Sequence, residues 1–444
     1  MIYSITFLLA YTALVPHYFI RADIKAEYPA IAAIMKYVPF FIVAGMLFSH
    51  IKKDRITSFY QDYRFLISLF LGYFFIACMS VLVSDNPIKS FSKVVYYSGT
   101  GFVLCVLVYN SISSQRDVYF LVKSMMVLAA ILSLHGIIIR IFAFDPLMLA
   151  AFTEFDITHQ THHNLKPLGN PIRTYGTLGN SIPYGTLLMI LAPFFYYDLK
   201  LHKSKLSSFV RIFCVFIISY AILSSGSRGV YIGCLLMLIV AALRSAFSCQ
   251  TNKFAWSAFL KKGVLLGIFV AVSLLVGDGG NSTILSRAVT RLQQLTDSAN
   301  ASVAVLTSVT ARLDRYTEVH GILKEKPLLG LGFGRVADRL PEYLVEERQT
   351  VAGAMTTENQ LLMVAAETGL TGWIFFIAML SAIGWHLLRL SNNFLHLHKE
   401  LATACAVSFL GLMLTMLTWD ALNNPAVRMY FWIIVAIGLR IRTL

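Results

Sequence analysis

A few ionisable groups stand at the edges of long apolar runs, where each is costly and is therefore a functional candidate. Arg173 opens Arg-Thr-Tyr-Gly176-Thr-Leu-Gly179-Asn180 ahead of one run, and Arg228 sits in Ser225-Gly-Ser-Arg-Gly229 between two more. Arg312 begins a polar helical segment, and Glu358-Asn359 leads into another apolar run. Asp420, Asn423, Asn424 and Arg428 fall between the last two runs. A lone edge arginine snorkels to lipid headgroups. Several arginines converging beside a carboxylate suit a phosphate or pyrophosphate held by forked hydrogen bonds. At a membrane edge, that anion points to a lipid-linked phosphate. Glu358 beside it is placed to take a proton from an attacking hydroxyl. The chemistry of such a set is group transfer from a lipid diphosphate donor.

Other signals carry less. His159, His162 and His163 have metal-like spacing, but their loop is polar and lacks ordered carboxylates, so a solvated loop is the better reading and no metal is expected. Gly330-x-Gly332-x-Gly334 is not a nucleotide fingerprint, because no strand precedes it and no βαβ unit fits. Lys36, inside an apolar run, is either a packed, paired cation or part of a lipid path. The six cysteines lack metal-ligand spacing and read as small core residues.

The elements that must position these groups are membrane spans. Of the 444 residues, 57% are apolar and only 14% charged, against ~25% charged in soluble domains. An ordinary cytosolic enzyme and a disulfide-framed or disordered chain are excluded. The N-terminus has no basic n-region and no cleavage site, and reads as a first span rather than a signal peptide. A span needs about 20 apolar residues. Candidate runs lie at 2–20, 30–49, 65–83, 94–111, 118–140, 181–197, 207–224, 229–247, 262–277, 360–386, 401–418 and 427–442. The predicted fold is an all-α, polytopic membrane protein of about twelve helices. Spans 1–9 occupy 1–277, a long loop 278–359, and spans 10–12 occupy 360–444. With both termini cytoplasmic, the inside loops carry eighteen Lys/Arg and the short outside loops nine. That bias orients the chain and places loop 278–359 in the periplasm. The net charge of +14 is then largely an orientation signal and needs no nucleic-acid partner. Within the loop, Leu285, Ala288, Leu292 and Leu295, then Leu313, Tyr316, Val319 and Leu323, repeat at helical spacing. Each helix is amphipathic and suits a membrane surface or the cap of a cavity. Lys326-Pro327 through Gly334 ends the second in a turn.

Four pieces of local sequence, in order, resemble the O-antigen ligase and polymerase superfamily. They are Arg173 to Asn180, Ser227-Arg228-Gly229, Arg312-Leu313 followed by Pro327 to Gly332, and Glu358-Asn359-Gln-Leu361 leading to Glu367-Thr-Gly369-Leu-Thr-Gly372. The resemblance covers about 173–420; residues 1–150 share only their apolar spans.

The resemblance implies glycan transfer from an undecaprenyl diphosphate carrier at the periplasmic face of the bacterial inner membrane. The acceptor is a glycan or lipid A-core, and neither cofactor nor metal is implied. The superfamily's ligases carry a histidine as base where this chain has Glu358, which favours a polymerase of O-antigen or exopolysaccharide over a ligase. In the implied reaction Arg228 and Arg312 bind the donor diphosphate, Arg173 assists the diphosphate or binds the sugar, and Glu358 activates the acceptor hydroxyl, with inversion at the anomeric carbon. Asn359 orients Glu358 or caps its helix, and Glu367 holds the turn to Gly369. A lipid-linked oligosaccharide flippase is the rival class; it would share the arginines, need no base, and show paired half-repeats, which the sequence lacks. A non-catalytic membrane scaffold is the second rival.

Overall fold

Five helical stretches are long and apolar enough to cross a membrane: Thr57–Val81, Pro87–Ser111, Gln115–Arg140, Gln360–Arg389 and Lys399–Met416. They belong to a computed structural model whose described residues are 2–15, 38–39, 41–46, 53–142, 174–201, 205–247, 303–343, 357–390, 396–442 and 444. Among the described residues the chain is helical and has no strand. The helices are α1 (Ile2–Leu14), α2 (Lys53–Val81), α3 (Pro87–Lys93), α4 (Thr100–Ser111) and α5 (Gln115–Phe142), with a π-helical turn, Val94–Gly99, joining α3 to α4. They continue as α6 (Ser181–Leu201), α7 (Lys205–Ser224), α8 (Arg228–Phe247) and α9 (Val303–Glu325). Last come the short α10 (Val336–Arg339), then α11 (Gln360–Leu390), α12 (His396–Met416) and α13 (Pro425–Ile441).

The apolar runs at 65–83, 94–111, 118–140, 360–386 and 401–418 fall on the five long stretches. Those at 2–20, 181–197, 207–224 and 229–247 fall on shorter apolar helices, and 427–442 falls on α13. The runs at 30–49 and 262–277 lie wholly or largely outside the described residues. The expected count of twelve therefore exceeds the five helices that qualify by length and composition among the described residues.

α13 is the axis of the bundle. From Ala426 to Leu439 every residue is buried, Arg428 included, the pattern of a helix enclosed on all sides. It packs on α4, α12 and α1; α12 in turn packs on α6, α8 and α11, and α11 on α2. The outer faces of α2, α7 and α8 expose large apolar side chains such as Phe65, Phe75, Phe213, Ile232 and Leu235.

One break in this scaffold shapes the site. At Gly369, φ is 67° and ψ −172°, a backbone region open essentially only to glycine, and α11 kinks there. The kink frees carbonyls that water cannot reach. The turn after α9 satisfies them: Leu331 N–H donates to the Ala366 carbonyl at 2.8 Å and Gly332 N–H to that of Glu367 at 3.1 Å. In exchange Leu370 N–H donates to the Pro327 carbonyl at 2.8 Å. Thus Pro327 to Gly332 plugs the break in α11. α9 lies over this plug, burying Val319 and Ile322 against Leu331, Val336, Leu340, Ala365 and Ala366. Its apolar stripe is covered by protein. Tyr316, expected on that stripe, is instead 53% exposed. The first expected amphipathic helix lies outside the described residues.

Candidate active site

The turn between α12 and α13 meets the start of α11 and the start of α8. Asn359, at the N-cap of α11, accepts the N–H groups of Leu361 and Leu362 on Oδ1 at 2.8 and 3.2 Å. Two orphan donors of the first helical turn are satisfied this way. Its Nδ2 donates to the Leu417 carbonyl at 3.3 Å and the Tyr316 hydroxyl at 3.4 Å. One amide thus caps α11 and ties it to both α12 and α9. Gln360 extends the tie, accepting the Leu422 N–H at 2.8 Å. On the other side, Gly229 lies so close to Thr418 that a β-carbon there would overlap that side chain. This brings Ser227-Arg228-Gly229, at the start of α8, against the same turn.

Glu358 is the sole non-glycine with positive φ, at 49°, among the described residues. An L-residue held left-handed costs roughly 1–2 kcal/mol, and such strain gathers at functional sites. Its side chain is exposed. The charge of Glu358 is felt by Asp420. Asp420 accepts from Asn423 Nδ2 at 2.7 Å. Burial chiefly holds the Asp420 carboxyl above the usual carboxylate range, with Glu358 adding to the rise and Asn423 opposing it. The pair is therefore one more exposed carboxylate and one burial-strained carboxyl.

Arg228 is exposed on the first turn of α8, beside the Thr418 turn. Arg312 stands on α9 one turn before Tyr316, the residue that reaches Asn359; its side chain lies outside the described residues. Arg173 also lies outside them, but its neighbour Thr174 donates its N–H to the Ser224 carbonyl at 3.1 Å, four residues before Arg228. Arg428 is not an edge arginine. It is buried, with Nη1 donating to the Leu422 carbonyl at 2.8 Å and its guanidinium over the Tyr97 and Tyr96 rings. Lys36 and the three histidines lie outside the described residues, among which no group of three metal-binding side chains occurs.

Further polar groups lie nearby, among them Glu367, which the sequence placed at the turn to Gly369. Glu367 is buried, accepts the Gly334 N–H, and leaves Oε1 unpartnered. Lys93 donates to the Gly334 carbonyl. Tyr96 and Tyr97 escaped the sequence reading, and their only signal was a polar tip inside an apolar run.

Two carboxyls of different character and an exposed arginine can bind an anionic donor and take a proton from a hydroxyl. Residues 213–377 match the family model described as O-antigen ligase (Wzy_C). No curated protein matches the chain.

Proposed function

Since residues 213–377 match the O-antigen ligase family model, we propose that this membrane protein is a glycosyltransferase. It moves a glycan from an undecaprenyl diphosphate carrier to an acceptor hydroxyl at the periplasmic face of the bacterial inner membrane, with both termini cytoplasmic. One observation carries this reading: Glu358, the strained left-handed residue, shares the α12–α13 turn with Asp420 and the Ser227-Arg228-Gly229 turn.

In the proposed reaction the acceptor oxygen attacks the anomeric carbon as its proton passes to Glu358. The bond from that carbon to the diphosphate oxygen breaks, and its electron pair leaves with the lipid diphosphate. Configuration inverts. Arg228 and Arg312, with Arg173, stabilise the charge that develops on the leaving group. Asn359 fixes the backbone on which Glu358 sits, and Asp420 lends a second carboxyl. No metal takes part. Glutamate at the base position favours a polymerase of O-antigen or exopolysaccharide; ligation to lipid A-core is the second reading.

Glu358→Gln tests it. The amide keeps the shape but takes no proton, so transfer should fall about 10²–10⁴-fold while donor binding persists. Glu358→His should restore part of it, with a pH profile moved toward ~6.5. Near-normal polymer from the Gln variant would remove Glu358 from the mechanism. Glycan analysis of a deletion strain separates the two branches: single repeat units on lipid mean polymerase, long chains stranded on the carrier mean ligase.

A further inference from the structure

Among the described residues two arginines are buried, Arg335 and Arg428, and they contrast. Arg335 presents its Nε/Nη2 edge to both oxygens of Asp85, at 2.7 and 2.8 Å, the side-on fork that grips an oxyanion. Arg428, 2% exposed, uses Nη1 alone, on the Leu422 carbonyl. Its Nε and Nη2 are buried without a hydrogen-bond partner. The Tyr96 hydroxyl approaches the guanidinium, but neither free nitrogen gains a bond of proper geometry. The same two-donor edge that holds Asp85 elsewhere is thus left without a hydrogen-bond partner here.

A buried cation without a counter-ion is expensive, and the surroundings of Arg428 offset only part of that cost. The guanidinium carbon lies 4.4 Å from the Tyr97 ring centroid and 5.1 Å from that of Tyr96, contacts worth up to about 2 kcal/mol when desolvated. The two tyrosines stand on the π-helical turn Val94–Gly99, and such turns recur at functional sites. They meet the guanidinium with their ring faces and supply neither free nitrogen with a hydrogen bond. Arg428 stands on the first turn of α13, next to the α12–α13 turn that carries Asp420 and touches Asn359. Arg428 is therefore a near neighbour of the candidate active site along the chain.

We propose that the Nε/Nη2 edge of Arg428 is a seat for a phosphate oxyanion, and that this oxyanion belongs to the diphosphate of the lipid-linked donor. The proposal rests on the donor reading above and adds a positioning residue beneath the exposed arginines. Arg228 and Arg312 meet the diphosphate from the outer face; Arg428 holds one of its phosphates from within the bundle. A bilayer phospholipid headgroup carries the same chemistry and is the competing source.

The test uses the full-length protein in phosphatidylcholine nanodiscs. Undecaprenyl diphosphate is titrated into wild type and Arg428→Lys, and the melting midpoint of each is followed with and without it. Lysine keeps the charge and can reach Leu422 but has no fork. The expected result is wild-type stability without the lipid and at least about tenfold weaker binding, a loss of about 1.4 kcal/mol. Equal binding by the variant would overturn the fork and leave the donor reading standing. No binding by wild type would overturn both. A second arm replaces phosphatidylcholine with phosphatidylglycerol and omits the diphosphate. If wild type responds there, the variant does not, and diphosphate binding is equal in both, the seat belongs to a headgroup and the donor assignment fails. Should Arg428→Lys not accumulate, Arg428→Met takes its place in both arms. Failure of both to fold makes Arg428 structural and overturns the proposal.

Discussion

In the proposed reaction Glu358 is the base and Asp420 a second carboxyl, and the two differ in exposure. Because the Asp420 carboxyl is held above its ordinary range, folding binds a proton there that the unfolded chain releases. That part of the stability is greatest at low pH and falls as pH rises from about 4, the ordinary aspartate value, through the raised one. Asp420→Asn should therefore raise the melting midpoint at neutral pH and flatten its fall over that window. If the second carboxyl serves the reaction, the same variant lowers turnover. A midpoint with unchanged pH dependence would show that Asp420 is not the titrating group. Arg228→Lys should lose most transfer at normal abundance, because a point charge cannot replace a planar fork on a diphosphate; full activity would return Arg228 to headgroup snorkelling. The sequence singled out both residues by charge at an apolar edge. It gave no reason to separate exposed Arg228 from enclosed Arg428, since enclosure comes from α4 and the tyrosine-bearing turn far away in the chain.

At the scale of elements, the decisive feature is the break in α11 and its plug. Gly369 takes a conformation that L-residues avoid, and a β-carbon there would fall on the Leu328 carbonyl. Gly369→Ala should cost at least about 2 kcal/mol, from backbone strain of ~1–3 kcal/mol and the overlap. Melting of the purified variant reads this directly; a shift below a degree would mean the kink is not required. The glycine run was legible as a turn, because three glycines after a helix cannot continue it. Its partner was not. The carbonyls of Ala366 and Glu367 lie over thirty residues onward, and only the kink makes them available.

Across the whole molecule, an ion-pair cluster clasps the segment after α9 to the α2–α3 turn. Arg335 holds Asp85 and pairs with Asp338; Lys89 meets Asp338 at 2.9 Å, and Arg339 meets Glu342 at 2.7 Å. Ser90 Oγ donates to the Phe333 carbonyl at 2.8 Å and Phe333 N–H to Ser80 Oγ at 3.1 Å. The hydrogen bond from Arg335 holds the Asp85 carboxyl down at about 2, and that from Lys89 holds the Asp338 carboxyl low as well. A depressed carboxylate stabilises above its ordinary pKa of ~3.9 and loses that contribution as pH falls through the depressed value. The clasp should thus hold at neutral pH and loosen between about pH 4 and about pH 2. Asp85→Asn should loosen it at neutral pH, seen as faster amide exchange across 333–343. Unchanged exchange in the variant would leave the buried Val336 and Leu340 as the true fastening.

What the sequence determined by itself was the helical membrane class of the protein and the charged residues that stand at the ends of its apolar runs. Apolar runs with almost no ionisable residue have no stable alternative to buried or lipid-facing helices, so the all-helical build was legible. Charges are tolerated only at the ends of such runs, so Arg228, Glu358 and Asp420 were legible as candidates. The Asn359 cap was legible too, since an amide three residues ahead of an N–H at a helix start has one natural use. The tertiary structure decided the rest. It buried Arg428 against two tyrosines, turned Tyr316 outward to meet Asn359, strained Glu358, and set a loop turn into the break of α11. Each of these depends on contacts between elements distant along the chain. Periodicity reports only which face of a helix is apolar; which partner covers that face, and which polar groups are trapped beneath it, is settled by packing.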